Sequence, residues 1–251
     1  CKNTEFTKNY KIVSINLTHT SKPVDFEIIA DIGEFLHSFN QRKLNFSSNE
    51  KWLVEIESIE DDEFIVDEDD SEVLHSSFVL ETLSEFTKYF EPVVVTDVGQ
   101  HQMLTAQFFN FNKPRKFITS GGLGTMGFGL PAAIGAHIAN PKSLVLNITG
   151  DGSFQMNLQE LATCREHHIP VKIIIMNNSY LGMVRELQEK IYNNRYQVEM
   201  INPDFAKIAE AYDLYAVRVS KKEELILALE MAMKHDGTAI VDIVIDSYEN
   251  I

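Results

Sequence analysis

The chain has 251 residues, of which 44% are hydrophobic, and a formal net charge of −15 at pH 7. This hydrophobic fraction is typical of a globular protein, and the negative charge argues against nucleic acid as a partner. No apolar run is long enough to span a bilayer, the N-terminus lacks a signal-peptide pattern, and the only cysteines are Cys1 and Cys164, which together predict a cytoplasmic protein without a membrane partner.

The N-terminal region is predicted to contain two strands and a short helix. The strands are expected at Tyr10–Leu17 and Phe26–Ile29, and the helix at Ile32–Phe39. An acidic stretch follows, since residues 60–72 hold nine acids and no base. We interpret this stretch as a solvated linker; a functional acidic tail and a calcium loop are the alternatives.

Beyond the acidic stretch, the hydrophobic pattern predicts alternating helices and strands. A helix is expected at Phe78–Phe90, capped by Ser76 or Ser77, and a strand at Val93–Thr96 that ends at the loop of Asp97. The C-terminal part has the same alternation. Its predicted elements are a helix at Asp204–Tyr212, a strand at Tyr215–Val219, a helix at Lys222–His235 and a strand at Ala239–Ile245.

The middle of the chain is predicted to form one β–α–β unit. Ser143–Ile148 and Val171–Met176 are short, apolar, β-branched runs expected to be buried strands of a parallel sheet. Met156–His167 carries residues at helical spacing, and Pro170 ends the connection before the second strand. Because neighbouring parallel strands share a carboxyl edge, where open α/β sheets bind ligands, the residues after these strands are expected to meet there.

Two of those residues are suited to bind a magnesium ion that carries a diphosphate. Asp151 lies in Gly150–Phe154 (GDGSF) after the first strand, and Asn178 follows the second. Magnesium prefers oxygen ligands and takes one or two carboxylates when phosphate oxygens and water fill the other positions. The backbone carbonyl of Tyr180 is the most plausible third ligand from the protein.

The glycines beside Asp151 are expected to shape the same site. Gly150 and Gly152 would let the main chain turn tightly around the metal, and the amides of Gly152 and Ser153 would face the diphosphate. The alternative is that Gly-Asp-Gly is only a turn between a strand and a helix. A zinc site at Cys164, His167 and His168 is rejected, because no fourth ligand of suitable spacing is visible.

Five blocks of sequence resemble the thiamine-diphosphate enzymes, and within that superfamily the acetolactate (acetohydroxyacid) synthase large subunits. The resemblance covers roughly residues 74–250. It implies an α/β fold in which a parallel sheet has helices on both faces. The blocks are Asp97–Met103 (DVGQHQM), Thr119–Gly135 (TSGGLGTMGFGLPAAIG), Gly150–Phe154 (GDGSF), Asn177–Val184 (NNSYLGMV) and Asn202–Ala206 (NPDFA).

The resemblance implies a role for each matching residue. Asp151, Asn178 and the carbonyl of Tyr180 would hold Mg²⁺. Met126 and Gly124, assigned as catalytic, would face the two rings of thiamine diphosphate, and the Met126 side chain would be a wedge that bends the cofactor. The other cofactor contacts would be Val98, Gly99, Gln100, His101, Gly150, Gly152, Ser153, Leu181, Gly182, Met183 and Val184. Without the resemblance, Met126 would be taken as core filler and His101 as a solvated loop residue.

The implied activity is that of an acetolactate synthase-like transferase of branched-chain amino acid biosynthesis. Pyruvate would be decarboxylated and its hydroxyethyl unit added to a second 2-keto acid, with thiamine diphosphate and Mg²⁺ as cofactors. Another thiamine-diphosphate decarboxylase or carboligase, or a noncatalytic diphosphate-binding module, is the alternative. The FAD typical of biosynthetic members would depend largely on regions outside this chain.

Two positions depart from the biosynthetic members of the family. Leu187 stands where they usually carry a Trp that favours 2-ketobutyrate as acceptor, and Leu181 stands where they often carry Gln. A smaller, non-aromatic side chain at position 187 would reshape the substrate pocket. We therefore expect little preference for 2-ketobutyrate in the full-length enzyme.

The resemblance also implies a domain organisation. Residues 1–59 resemble the C-terminal part of a middle domain, residues 60–73 would form the linker, and residues 74–251 would form the thiamine-diphosphate-binding domain. The chain opens with Cys1 and contains no segment that resembles a pyrimidine-binding domain, so we expect a piece of a longer protein that supplies the diphosphate half of the site and is inactive alone. Apolar loops around Met126 would be exposed in a monomer, which favours a homodimer.

Overall fold

The structure is a computed structural model that describes residues 11–42, 50–63 and 73–251. For residues 57–63 it describes the backbone only. The chain divides into two compact units, residues 1–65 and 66–251. This division falls inside the predicted linker, whose residues 64–72 lie outside the described part. Among the described residues, no helix is long and apolar enough to cross a membrane.

The first unit contains a small parallel sheet and two helices. Strand β1 (Val13–Asn16) pairs with β2 (Phe26–Ile29), and α1 (Ile32–Gln41) and α2 (Glu50–Glu63) follow. The predicted strands and first helix are confirmed, although Tyr10 lies outside the described residues. Helix α2 was not predicted, and it makes the first four residues of the predicted linker helical. No described side chain of this unit is buried, so these residues form no core of their own.

The second unit is an α/β domain whose elements alternate along the chain. In order, they are α3 (Ser76–Thr87), β3 (Val93–Thr96), α4 (Gln100–Phe108), β4 (Phe117–Ile118), α5 (Gly129–Ala139), β5 (Val145–Gly150), α6 (Asp151–Phe154), α7 (Leu161–Glu166), β6 (Lys172–Asn177), α8 (Gly182–Tyr192), α9 (Phe205–Ala211), β7 (Tyr215–Val219), α10 (Lys222–Lys234) and β8 (Ala239–Val244). Short 3₁₀ turns lie at Lys88–Phe90 and Leu158–Glu160.

Six strands form one parallel sheet in the order β4-β3-β5-β6-β8-β7. Successive side chains of a strand point to opposite faces, so one strand feeds two cores. In β6, Ile174 and Met176 pack with α3, α4 and α10, whereas Ile173 and Ile175 pack with α5, α7 and α9. The predicted fold class, a parallel sheet with helices on both faces, is confirmed.

Two local predictions in this unit differ from the structure in detail. The helix expected at Met156–His167 begins only at Leu158, as a 3₁₀ turn that continues into α7, because Asn157 donates from Nδ2 to the Gly127 carbonyl at 2.6 Å and has a non-helical backbone. Neither serine caps α3, since the N-cap residue is His75, which makes no side-chain cap. The free amide of Ser76 instead donates to the Glu249 carboxylate at 3.0 and 3.1 Å. In both cases a distant contact replaces the local one.

Lys172, at the amino end of β6, is a buried cation far from the carboxyl edge. Its Nζ donates to the carbonyls of His235 and Gly237 at 2.7 and 2.6 Å, and burial lowers its pKa to about 8. Between this value and the ordinary pKa, the unfolded chain holds a proton that the folded chain lacks, so the free energy of unfolding is expected to rise with pH. We expect a rise of about 2 kcal/mol between pH 7.5 and 9.5 in urea unfolding.

The control for this pH effect is a pair of variants. Lys172→Met removes the titrating group and should lose the rise, whereas Lys190→Met, at an exposed lysine of α8, should keep it. A rise that persists unchanged in Lys172→Met would contradict the assignment to this lysine.

Candidate functional site

The strand order reverses between β3 and β5, and this reversal creates a crevice at the carboxyl edge. From β3 the chain runs by α4 to β4 on one side, and then by α5 to β5 on the other side. Helices α4 and α5 therefore pack on opposite faces of the sheet. The loops after β3 and β5 diverge around the gap, which is the position where open α/β sheets bind ligands.

A cavity occupies this crevice and gathers most of the predicted site residues. All of the predicted cofactor contacts line it except Gly124. Three residues that were not predicted also line it, namely Ser76, Met176 and Ile245. The predicted members in its wall are Val98, Gly99, Gln100, His101, Met126, Gly150, Asp151, Gly152, Ser153, Asn178, Tyr180, Leu181, Gly182, Met183 and Val184.

Asp151 is a buried carboxylate in the cavity wall, with only 2% of its surface exposed. Its Oδ1 accepts from the Gly152 amide at 3.0 Å, and its Oδ2 accepts from the Ser179 amide at 2.8 Å and from Nδ2 of Asn202 at 2.6 Å. Burial raises its pKa to about 6, and these hydrogen bonds only partly oppose the shift. The three donors are neutral, so the ionised carboxylate has a charge that they do not balance. Buried charges of this kind pair with a cation or coordinate a metal.

Asn178 lies in the same wall and is held by a turn of its own loop. Its Oδ1 accepts from the Tyr180 amide at 3.0 Å, and its Nδ2 lies 3.4 Å from Oε1 of Gln100. Ser179, which lies between Asn178 and Tyr180 in the chain, has a left-handed backbone with φ of 58°. Such strain in a non-glycine residue is common where a loop is shaped for binding. Since an amide oxygen has two lone pairs, Oδ1 keeps one for a further ligand.

His101 is packed between the loops that follow β3 and β5. A Cβ atom on Gly99 would lie 2.8 Å from its Cε1, and one on Gly150 would lie 2.9 Å from its Nδ1. Burial lowers the pKa of His101 to about 4, so the ring is neutral near pH 7, and its Nε2 has no hydrogen-bond partner among the residues that the structure describes. The ring is thus buried rather than solvated, and Nε2 is a polar atom that a ligand oxygen or water would satisfy.

The expected tight glycine turn around Asp151 is wrong. Gly150 has an extended backbone with φ of −84°, and Gly152 is the second residue of α6, so neither requires a conformation reserved for glycine. Both positions favour glycine because a side chain there would crowd neighbouring side chains. Gly150 makes way for the imidazole of His101, and a Cβ on Gly152 would lie 3.1 to 3.2 Å from side-chain atoms of Leu181 and Met200.

The glycine-rich loop that carries Met126 is fastened by Asp97. The buried carboxylate of Asp97 accepts from the amides of Gly127 and Gly129 at 2.8 and 3.0 Å. Met126 is half-buried and lines the cavity next to this anchor. Gly124, with φ of 63°, is exposed and lies outside the cavity wall, so the structure does not bring it to the site. The loop position of Met126 therefore depends on Asp97.

Helix α8 begins at the cavity and leads away from it. Gly182, Met183 and Val184 line the wall, but Leu187, one turn further, is 56% exposed and does not. The substrate-selecting role of Leu187 is therefore left as a prediction for the full-length protein. Leu181, by contrast, lines the cavity, as its predicted role requires.

The C-terminal segment packs beside the start of α8. Arg185 is buried, and its guanidinium donates to the carbonyls of Ser247 and Glu249 and to Oδ1 of Asn250. The Glu249 carbonyl also accepts from Nε2 of Gln100 at 3.0 Å. Gln100, a predicted diphosphate contact at the start of α4, is thus held in place by the C-terminal segment.

Sequence reasoning missed four residues that shape the cavity from a distance, namely Asp97, Arg185, Asn202 and Glu249. Asp97 and Asn202 open two of the blocks that carry the family resemblance, but no role was inferred for either. Asp97 holds Gly127, 30 residues away along the chain, and Asn202 holds Asp151, 51 residues away. Helical and strand periodicity predicts elements and faces, not side-chain hydrogen bonds between loops.

The donor set fits a magnesium ion that carries a diphosphate. One uncompensated carboxylate and one amide oxygen share the cavity wall, and magnesium in phosphate sites takes few protein ligands. The unpartnered Nε2 of His101 and the glycine edges leave a polar, sterically open wall for phosphate oxygens. Among the described residues, no group of three or more His, Cys, Asp or Glu side chains could hold a metal, so a metal here would rely on phosphate oxygens and water for its remaining ligands.

Comparisons with known proteins show similarity to one enzyme family over most of the chain. Residues 97–243 match the family model of the thiamine pyrophosphate enzymes, C-terminal TPP binding domain. The chain is 37% identical to the acetolactate synthase isozyme 3 large subunit of Escherichia coli (strain K12), over 95% of this chain and 44% of that protein. It is 38% identical to the acetolactate synthase large subunit of Haemophilus influenzae, over 98% of this chain and 45% of that protein. It is 40% identical to the chloroplastic acetolactate synthase 2 of Zea mays, over 72% of this chain and 30% of that protein. The chain spans less than half of the length of each of these relatives.

Proposed function

The chain belongs to the thiamine pyrophosphate enzymes and carries their C-terminal TPP-binding domain, and on this premise we propose that it provides the diphosphate and Mg²⁺ half of an acetolactate synthase-like active site. The full-length protein would decarboxylate pyruvate and transfer the two-carbon unit to a second 2-keto acid. The proposed substrates rest on the similarity to acetolactate synthase large subunits and on the sequence blocks that resemble that family.

The observation that carries the proposal is the buried carboxylate of Asp151. Its hydrogen-bond donors are neutral, its pKa is raised to about 6, and it shares a cavity wall with Asn178. Asp151 and Asn178, with the carbonyl of Tyr180, would hold Mg²⁺. A divalent ion would supply the missing charge, and an ionisable group in a place that disfavours its charged form would then have a function.

The other residues of the wall would bind and orient the cofactor. Bound thiamine diphosphate would supply the electron sink for decarboxylation. Nε2 of His101 and the wall around Gln100 would receive the diphosphate, and half-buried Met126 would support the rings. Asp97 would keep Met126 in position in the cavity wall, because it accepts hydrogen bonds from the amides of Gly127 and Gly129, just after Met126. The work of these residues is positioning rather than proton transfer.

We also propose that the full-length protein is a dimer or a higher oligomer. Leu123, close to Met126 in the glycine-rich loop, is 93% exposed. An isolated large apolar side chain is ordinary on a surface, but one beside a cofactor site favours cover by another domain or subunit. A pyrimidine-binding domain would complete the site there. The middle-domain assignment of residues 1–59, the cytoplasmic location and FAD binding are proposals for the same full-length protein.

A product assay tests the proposed function. Full-length protein with pyruvate, thiamine diphosphate and Mg²⁺ is expected to form acetolactate, and this activity should disappear when EDTA removes the metal. When pyruvate and 2-ketobutyrate compete at equal concentration, Leu187 predicts little preference for the latter. Acetaldehyde without acetolactate would instead indicate a simple decarboxylase. Failure to bind thiamine diphosphate at any Mg²⁺ concentration would contradict the proposal altogether.

A further inference from the structure

A chain of hydrogen bonds through half-buried Asn202 and buried Asn177 links Asp151 to strand β8 on the far side of β6. Asn202 donates from Nδ2 to Oδ2 of Asp151 at 2.6 Å and to Oδ1 of Asn177 at 2.9 Å. Asn177 in turn donates from Nδ2 to Oδ1 of Asp242 at 2.8 Å. The second oxygen of Asp242 lies 3.5 Å from Nη1 of Arg218. Asp151, Asn177 and Asp242 are all buried, which strengthens each bond through the low local dielectric.

The orientation of each amide in this chain is fixed by its two ends. A carboxylate only accepts, so Asn177 must point its NH₂ group at Asp242 and its oxygen at Asn202. Asn202 must then turn its own NH₂ group toward Asn177, and its second hydrogen is left for Asp151. Its oxygen accepts from Nε2 of Gln155 at 3.1 Å, which favours the same rotamer. Reversing any one amide would place two acceptors against each other.

The hydrogen bonds divide the two oxygens of Asp151 into different roles. Oδ2 accepts from both Asn202 and the Ser179 amide, whereas Oδ1 accepts only from the Gly152 amide. Each carboxylate oxygen has about two lone-pair directions. Oδ2 is therefore saturated, and Oδ1 keeps one direction for a metal.

We propose that Asn202 is a positioning residue that selects Oδ1 of Asp151 as the metal-binding oxygen, and that Asp242 acts through Asn177 to keep the Asn202 amide in the required orientation. This inference rests on the proposed function, since it assigns a purpose to residues around the Mg²⁺ site. It also gives the block at Asn202–Ala206 a role, because that block places the amide against Asp151. Without Asn202, the carboxylate keeps its bonds from the Gly152 and Ser179 amides but loses the bond that saturates Oδ2. Its orientation is then less restricted, and the bound geometry has to be formed at the expense of binding free energy.

Calorimetric titration of full-length protein with Mg²⁺, in the presence of thiamine diphosphate, tests this role. Asn202→Ala is expected to raise the dissociation constant of Mg²⁺ about tenfold, the size seen when a partner of a metal ligand is removed. The kcat at saturating Mg²⁺ should return to near the wild-type value, because the metal then imposes the geometry. Asp242→Leu, which removes the acceptor for Asn177 at similar side-chain size, should weaken Mg²⁺ binding in the same direction. The double variant should lose no more than Asn202→Ala alone, since both act through one chain.

The controls separate positioning from general damage. Asn194→Ala changes an exposed asparagine outside the cavity and should leave the dissociation constant unchanged. Melting temperatures without ligand show whether a variant is folded; if Asn202→Ala fails to fold, Asp242→Leu carries the test. A wild-type dissociation constant in a folded Asn202→Ala or Asp242→Leu variant, or additive losses in the double variant, would overturn the inference. Absence of Mg²⁺ binding in the wild type would instead overturn the proposed function.

Discussion

Replacing Asp151 with Asn is expected to abolish Mg²⁺-dependent binding of thiamine diphosphate while leaving the fold intact. Asp151 is the only carboxylate among the proposed protein ligands, so the substitution removes all of their negative charge. Partners outside the ligand sphere already cost 10- to 100-fold in metal affinity, and loss of the charged ligand itself should exceed about 100-fold. Isothermal titration of the full-length protein with Mg²⁺ and thiamine diphosphate measures this loss, and acetolactate formation should fall with it.

The same variant should melt no lower than the wild type when both lack ligand. Burial raises the pKa of Asp151 to about 6, so the ionised group destabilises the empty site at neutral pH, and a neutral amide of the same shape relieves this. Its oxygen can still accept from the Ser179 amide and from Asn202. Asp213→Asn, at an exposed aspartate, is the matched control and should change neither property. Wild-type Mg²⁺ affinity in Asp151→Asn would contradict the metal assignment.

The position of the site in the fold was predictable from the sequence because it depends on strand order and on chain direction. Two apolar, β-branched runs separated by a helical connection imply neighbouring parallel strands, and β5 and β6 do pair in parallel. Asp151 and Asn178 follow those strands directly, so their arrival in one cavity wall needs only this pairing. The strand predicted at Tyr215–Val219 is also reproduced residue for residue, since its apolar run has clear ends.

What could not be predicted depends on contacts between loops. Asn157 delays the start of a helix that its own segment favours, because a carbonyl of the glycine-rich loop accepts a hydrogen bond from its side-chain amide. His101 looks like a solvated loop histidine in the sequence, yet it is buried between Gly99 and Gly150. Asn202 lies in a loop with no periodicity, 51 residues from the carboxylate that it holds. The local sequence pattern does not encode contacts between distant loops, so these contacts depend on tertiary packing.

Different parts of the chain therefore determine the position and the orientation of the groups in the proposed site. The sheet determines where the proposed ligand oxygens lie, and loops from other parts of the domain determine how they are oriented. Asp97 holds the loop of Met126, and the C-terminal segment holds Gln100. The groups that we propose to bind the cofactor are therefore supported by hydrogen bonds from other segments of the chain.

Gly182→Ala is expected to disrupt the cavity through steric contact alone. A Cβ at this position would lie far inside contact distance of Oε1 of Gln100, and it would also lie 2.7 Å from Cδ of Gln100 and 2.9 Å from Nδ2 of Asn178. Both side chains would have to move, and one of them is a proposed metal ligand. Misplacement of binding groups by about 1 Å can cost on the order of 100-fold. We expect a loss of this size in the kcat/KM of the full-length protein, with weaker binding of thiamine diphosphate.

The added methyl group should act on the site rather than on the helix. Gly182 begins α8 without a left-handed backbone, so alanine is acceptable there in conformational terms. Gly135→Ala is the matched control, because no atom outside the neighbouring backbone of its own helix lies within 4 Å of the new Cβ. Alanine inside α5 should raise the free energy of unfolding by about 0.5–1 kcal/mol without affecting binding. Equal binding by both variants would show that Gln100 and Asn178 yield without cost, and the packed wall described for this cavity would then be wrong.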